Sequence, residues 1–363
     1  MNNTSVIDKI HFRLEDYNNY FYGSQSEIVF HFNQNFFVHQ LLSVVKVADL
    51  KVLLKTKFCR FAPIINAPIY YKFSIPKRNG KKRDIQAPEM YLKITQARLN
   101  FYLQNYYQLI RPKGVFGFVI NPNKKEIFCN IVENAKLHVN KKYVLNLDLE
   151  DFFSSIKAYQ VKELFLSDYF RYDNTVATIF ALLTTYEGKL PTGAPTSPAI
   201  SNFICLKLDQ NLLEYCENNN LQYSRYADDL TFSSNKIITK LHIENLVTII
   251  TNHHFKVNNN KTRLKLNCRK QSVTGIVVNE KVNVDRKVIK LVRAMLYDTL
   301  QNGIYKAALK HFKSKKQPDK MIESYFLNRL DGYINFIAQV RGKEDPLVVK
   351  FRESYNMIFR LYR

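Results

Sequence analysis

Residues 224–234 read SRYADDLTFSS, two runs in which apolar or aromatic side chains alternate with polar ones on either side of a tip bearing adjacent Asp228 and Asp229. Period-two alternation around an Asp-rich tip predicts a β-hairpin, and a hairpin commits the chain to a sheet. Around it, strand-like and helix-like patterns are interleaved irregularly. YYKFSIPKRNGKKRDIQAP (70–88) reads as strand, basic turn with Gly80, strand, and a stop at Pro88. Residues 89–110 carry the spacing of an amphipathic helix. KKYVLNLDLEDFFSSI (141–156) opens as a strand over Tyr143–Leu149 and turns into a helix. In SPAISNFICLKLDQNLLEYC (197–216), Ser197 suits an N-cap and Pro198 the first helical position, with Ile200, Phe203, Ile204, Leu208 and Leu212 near one face. Residues 1 to about 60 read as mostly helical, with an apolar run ending near Lys55, and the pattern after about residue 285 is helical to the end. Such interleaving predicts an α+β fold rather than a doubly wound sheet.

The formal net charge of +23 over 363 residues points to a polyanionic partner, nucleic acid first and an anionic membrane surface second. No stretch has the length of unbroken apolar sequence a membrane helix needs, and MNNTSVIDKIHFRLED lacks the apolar core of a signal peptide. A cytoplasmic protein is therefore expected. The five cysteines are scattered with no C-x-x-C pair, which argues against zinc sites and disulfides.

Adjacent carboxylates suit a turn without any ligand; they also suit a hard cation. Successive strand side chains point to opposite faces, so one of Asp228 and Asp229 should dominate a cation site and a further carboxylate is needed. Asp148, ending the run YVLNLD, is the best candidate. Two magnesium ions about 4 Å apart on such carboxylates stabilise the attacking and leaving oxygens of phosphoryl transfer, and magnesium needs few protein ligands because it keeps waters and takes phosphate oxygens. Between the two carboxylate segments lies KLPTGAPTSPAISN (189–202), which reads either as a loop feeding a helix, with Pro191, Gly193 and Pro195 as its punctuation, or as a place where Gly193, lacking a Cβ, lets a base or sugar lie against the backbone.

LDLEDFF, LPTGAPTSP and YADD, in that order, resemble the three palm motifs of reverse transcriptases; with FSIPKRNGKKRDI upstream and NNNKTRL downstream the resemblance covers roughly residues 70–285. It implies a right-hand polymerase fold of fingers, palm with antiparallel sheet and helices, and helical thumb. It also implies metal ligation by Asp148, the Leu149 carbonyl and Asp228, with Asp229 supporting. Phe153 falls at the steric gate that selects deoxynucleotides, while Phe152 reads as core. Lys77 and Arg83 match the positions that hold the incoming triphosphate, and the six basic residues with no acidic one from Lys72 to Arg83 fit phosphate attraction independently. Lys261 matches a mobile-loop lysine that protonates leaving pyrophosphate. Thr192 departs from the family, which usually has Gln before Gly193; its shorter side chain reaches less far toward a nucleotide.

ENAKLH (133–138) resembles the N-A-x-x-H motif of retron reverse transcriptases, through Asn134 and His138, and SVTGIVVN (272–279) resembles their V-T-G motif, Val273, Thr274 and Gly275. Read alone, the first is an i, i+4 pair on an exposed helix and the second a strand bend. The resemblance implies a dedicated structured non-coding RNA serving as primer and template, deoxynucleotide substrates, synthesis from an RNA 2′-hydroxyl to branched single-stranded DNA (msDNA), and a role in anti-phage defence with an associated effector protein. With no RNase H segment in view, template removal falls to a host RNase H.

From Arg286 to Lys316 there are nine Lys or Arg and one acidic residue, Asp298. Arg286, Lys290 and Arg293, and again Lys306, Lys310 and Lys313, have i, i+4, i+7 spacing, so each triplet forms a stripe suited to RNA phosphates or to solvent. The expected layout is an N-terminal helical extension (1–60), fingers and palm (61–285) and a helical RNA-binding thumb (286–363). Competing readings are an abortive-infection-type or group II intron-like reverse transcriptase, and a non-catalytic ribonucleoprotein scaffold.

Overall fold

The structure is a computed structural model that describes residues 36–56, 58–76, 80, 82–120, 129–312 and 321–361. After a helical stretch at 36–42, the elements run α1 Val47–Leu53, α2 Phe58–Asn66, β1 Tyr70–Pro76, β2 Lys82–Pro88, α3 Met90–Ile110, α4 Ile131–Lys136, β3 Tyr143–Asp148, α5 Phe152–Ser155, α6 Ala158–Leu166, α7 Asn174–Thr184, α8 Ser197–Ile204 and α9 Leu206–Asn218. Then come β4 Gln222–Tyr226, β5 Asp229–Ser234, α10 Lys240–Asn252, a 3₁₀ turn Asn259–Lys261, β6 Arg263–Leu266, β7 Ser272–Val273, β8 Ile276–Val277, α11 Arg286–Phe312, α12 Ile322–Arg341 and α13 Pro346–Leu361. The fold is α+β, with a four-stranded sheet of order β4-β5-β3-β6 in which β3 and β6 pair antiparallel from Tyr143↔Leu266 to Asn146↔Arg263.

The chain forms two compact units. One takes in Met1–Cys129, Leu147–Leu230 and Thr239–Thr262, the other Asn130–Asn146, Thr231–Ile238 and Arg263–Arg363. The core of the first is aromatic: Phe165 stacks on Phe180 at 4.5 Å between centroids, and Tyr106 of α3 meets Phe170 edge-on at 5.4 Å. Buried aromatics bring large area and geometric preference together, which fixes how α3, α6 and α7 pack. The ribbon β1–β2 pairs antiparallel from Tyr70↔Pro88 to Pro76↔Lys82.

Helix starts follow local chemistry. Asp173 caps α7 by accepting from the Val176 N–H at 2.7 Å, and Asn130 caps α4 by accepting from Val132 and Glu133 at 2.8 and 3.0 Å. Ser197 differs from expectation. It lies inside the first turn of α8, and its hydroxyl donates to the Pro191 carbonyl at 2.7 Å, closing the 191–196 loop instead of capping the helix.

The second unit is held by one apolar cluster that includes Val144, Val273, Ile276, Val292, Phe326, Leu330, Ile334, Ile337 and Phe351. Within α11 the helix breaks at Gly303 (φ 80°, ψ 160°), a conformation glycine reaches without a Cβ penalty. Asp298, before the break, accepts from Lys310 Nζ and His311 Nε2 beyond it, each at 2.8 Å.

Candidate active site

The site is assembled by backbone hydrogen bonds at the end of β3. The Leu149 N–H donates to the Asp228 carbonyl at 3.0 Å, and the Asn258 N–H donates to the Asp148 carbonyl at 2.7 Å. Asp148, 8% exposed, therefore sits between the tip of the β4–β5 hairpin and the segment at 256–258. The tip consists of Ala227 and Asp228, with Ala227 in the left-handed region at φ 60°, and Asp229 opens β5. The two carboxylate segments singled out in the sequence thus converge.

Their electrostatics are those of a concentrated negative charge. Burial raises the Asp228 carboxyl above its ordinary value and the Asp148 charge adds to this, while Lys261 and Arg83 oppose it. Asp229, although exposed as a residue, has its carboxyl pushed up to about 6, by loss of hydration first and then by the charges of Asp228 and Asp148. Lys261 answers that charge. Its Nζ donates to Oδ1 and Oδ2 of Asp148 at 2.7 and 2.9 Å, and this bond raises the pKa of the lysine.

Hard carboxylate oxygens, mutually repelling and already attracting an ammonium, form a donor set that fits a divalent cation. Among the described residues no group of three His, Cys, Asp or Glu stands ready to enclose a metal. For the Asp148 carboxylate to bind a cation it must give up Lys261.

Of the residues expected to meet a nucleotide, Arg83 is exposed on β2, and its charge is felt at Asp228. Phe153 is half-buried on α5, with its ring 5.7 Å from Phe118 and 5.4 Å from Phe152; Phe152 itself is core, 6% exposed. Thr192 is half-buried. At Gly193 the close approach is made by the chain itself: a Cβ there would meet the Gln86 carbonyl oxygen at 2.6 Å, so this glycine seats the 191–196 loop on β2. Lys77 lies outside the described residues.

Residues 75–283 match the family described as "Reverse transcriptase (RNA-dependent DNA polymerase)". The chain is 30% identical over 308 residues to the Retron Ec86 reverse transcriptase of Escherichia coli, covering 84% of this chain and 89% of that one. This chain belongs to the retron reverse transcriptases. It is also 31% identical over 280 residues to the Retron Mx65 reverse transcriptase of Myxococcus xanthus, 72% of this chain and 63% of that longer one. Among solved structures, telomerase from Candida albicans in complex with a TWJ fragment of telomeric RNA aligns over 86% of this chain and 68% of that chain, with a TM-score of 0.46 and 10% identity. The activity is RNA-directed DNA polymerisation, with RNA and DNA as partners and divalent metal ions as cofactors. Among the described residues no helix is long and apolar enough to cross a membrane.

The structure corrects the placement of several residues expected to touch RNA in this retron reverse transcriptase. Asn134 and His138 are not an exposed pair. They are 1% and 0% exposed, and His138 Nδ1 lies 2.7 Å from the Ser233 hydroxyl of β5. Burial pushes the imidazole down to about 3, so it is neutral. Side chains with no solvent access act on RNA only through the elements they hold. Val273 is likewise core, 0% exposed. Thr274 and Gly275, at φ 46° and 86°, form the two-residue turn between β7 and β8, which is the arrangement of a type I′ hairpin. Gly275 is thus a hairpin turn rather than a bend, and its α-carbon faces open space.

Arg286, Lys290 and Arg293 are exposed along one face of α11, and Lys306 is exposed beyond the break. Lys310 is exposed too, but its ammonium is paired with Asp298 at 2.8 Å. Lys313 lies outside the described residues.

One residue of the site went unnoticed in the sequence. Gly117 packs directly beneath the Ala227–Asp228 turn, where a Cβ would meet the Ala227 nitrogen at 2.2 Å. The run RPKGVFGFV gives only two glycines three apart as a signal; which backbone they approach depends on a hairpin far along the chain.

Proposed function

We propose that this retron reverse transcriptase copies a dedicated, structured non-coding RNA into single-stranded cDNA, primed from an RNA 2′-hydroxyl to give branched msDNA, and that it serves anti-phage defence beside an effector protein. The observation that carries the polymerase reading is the Leu149 N–H to Asp228 carbonyl bond of 3.0 Å, which holds the ends of the two carboxylate segments together. Asp148, the Leu149 carbonyl and Asp228 would hold two Mg²⁺ ions, and Asp229 would support them. Bound there, the ions would lower the cost of charge developing on the attacking and leaving oxygens.

The chain's own groups do the rest. Arg83, with Lys77, draws the triphosphate toward the carboxylates. The Phe153 ring, braced by Phe118 and Phe152, crowds a ribose 2′-hydroxyl and favours deoxynucleotides. Lys261 leaves Asp148 when a cation arrives, and its ammonium is then available as a proton donor to leaving pyrophosphate. The stripe Arg286, Lys290 and Arg293 offers charge to RNA phosphates, which makes binding salt-dependent. We assign residues 1–60 to an extension, 61–285 to fingers and palm, and 286–363 to the thumb. The setting proposed is the bacterial cytoplasm, with a host RNase H removing template.

Purifying the protein from its host and sequencing the nucleic acid that accompanies it tests this reading. A unique cDNA joined through a 2′–5′ branch to one RNA is expected. DNA of random sequence would support untemplated synthesis of the abortive-infection type, and RNA without any DNA would support a scaffold.

A further inference from the structure

Behind the catalytic turn lies a fully buried polar network that the reaction as described does not use. Arg225 and Asp209 are both 0% exposed and paired. Arg225 Nε donates to Asp209 Oδ1 at 2.8 Å and its NH2 group to Oδ2 at 2.6 Å, a bidentate fork, while the Tyr223 hydroxyl donates to Oδ1 at 2.7 Å. The remaining side of the guanidinium faces the turn: NH1 donates to the Ala227 carbonyl at 3.2 Å and to Asn202 Oδ1 at 3.0 Å. Asn202 then donates from Nδ2 to the Gly117 carbonyl at 3.0 Å, and the α-carbon of Gly117 abuts the Ala227 nitrogen. Both peptide groups of Ala227 are therefore fixed, one by a guanidinium and the other by a glycine that the same network anchors.

Ala227 needs this. Its φ of 60° is a left-handed conformation that residues with a Cβ seldom adopt, and the next residue is Asp228. Rotation of Ala227 out of the left-handed region would change the direction in which the chain enters Asp228, and so shift both its carbonyl, which accepts from the Leu149 N–H, and its carboxylate.

We propose that Arg225, oriented by Asp209 and joined to Gly117 through Asn202, is a positioning residue that keeps Ala227 left-handed and so sets the direction of Asp228. The proposal rests on the polymerase reading above for its effect on catalysis, but its structural content stands apart from that reading. A guanidinium is suited to the task, because its planar fork can grip a carboxylate on one edge and present donors in fixed directions on another.

The test is Asn202→Leu, alone and combined with Ala227→Gly, in the full chain. Two measurements are made: hydrogen exchange of the Leu149 amide in metal-free protein, and single-turnover primer extension over a range of dNTP concentrations. The expected result is Leu149 exchange faster by at least about tenfold with the global melting temperature little changed, because local opening is separable from global unfolding. The extension rate should fall by at least about tenfold with the apparent dNTP affinity retained. Ala227→Gly should recover part of the rate, because glycine holds the positive φ without support; a role confined to general stability would show no such rescue.

If Asn202→Leu does not fold, Arg225→Lys replaces it. It keeps the charge against Asp209 but cannot span Asp209, Asn202 and Ala227 together, and the same changes are expected. Wild-type exchange at Leu149 in whichever variant folds overturns the proposal. A wild-type protein without extension activity counts against the polymerase reading, and the amide measurement then decides the positioning role by itself.

Discussion

Lys261 lays its ammonium across both oxygens of Asp148, at 2.7 and 2.9 Å. In this arrangement a side chain occupies the carboxylate that the proposed reaction assigns to a metal. Cation and lysine then compete for one group, and Lys261→Met should tighten metal binding. The lysine is 59% exposed, so the gain should be no more than about fivefold, in line with the ~1 kcal/mol limit for exposed pairs. Mn²⁺ titration followed by electron paramagnetic resonance measures it. Unchanged or weaker binding would mean that the pair does not persist in solution.

The Asp229 carboxyl, raised to about 6 from an unfolded value of 3.8, gives a pH dependence of known sign. Between these values the folded protein holds a proton that the unfolded chain releases, so this group's contribution to stability falls as pH rises. Asp229→Asn should therefore raise the melting temperature of metal-free protein at pH 8 and leave it unchanged near pH 3. A gain of equal size at both ends would contradict the shift.

His138 has the opposite sign. Its imidazole is pushed down to about 3 by burial, so below an unfolded value of 6.5 the unfolded chain takes up a proton that the fold refuses. Stability should be fully present above pH 6.5 and decline as pH falls toward 3, by an amount on the order of several kcal/mol at the limit. His138→Phe should flatten this decline while costing about 1 kcal/mol at pH 7 for the stranded Ser233 hydroxyl. Denaturant melts at a series of pH values would reveal both.

Gly117→Ala places a methyl group 2.2 Å from the Ala227 nitrogen, a clash that only movement of the turn or of the 114–118 segment relieves. Displacements of about 1 Å at a reacting centre cost on the order of 100-fold in rate. Primer extension should fall by about that factor, while RNA retention, which the proposed function assigns to the second unit's exposed basic face, should persist in a filter-binding assay. Loss of both together would point to unfolding.

What the sequence made legible was what depends on neighbours along the chain. The hairpin at Asp228, the ribbon on either side of Gly80, the strand ending at Asp148 and the helices after residue 285 all follow from period and punctuation. Distant encounters were not legible. Asn134 and His138 have the spacing of a solvent-facing pair, and only segments far along the chain bury them: β7 and β8 pack on α4, and Ser233 of β5 meets His138. Ser197 looked like a cap, yet its hydroxyl was claimed by Pro191. Gly193 suggested a surface for a nucleotide, whereas Gln86 fills its close approach. Lys310 looked like one of a basic stripe, but the break at Gly303 brings Asp298 to it. Arg225 carries no signal at all, because a buried arginine in a strand is specified only by the Asp209 that meets it.

The claim on which the rest depends is that Asp148 and Asp228 act together on one reacting phosphate. Primer extension by Asp148→Asn and by Asp228→Asn, with the cognate RNA, dNTPs and Mg²⁺, tests it most directly, with RNA binding measured on the same preparations. The account predicts that each substitution abolishes cDNA while RNA binding stays at the wild-type level; undiminished DNA synthesis by either variant would contradict it.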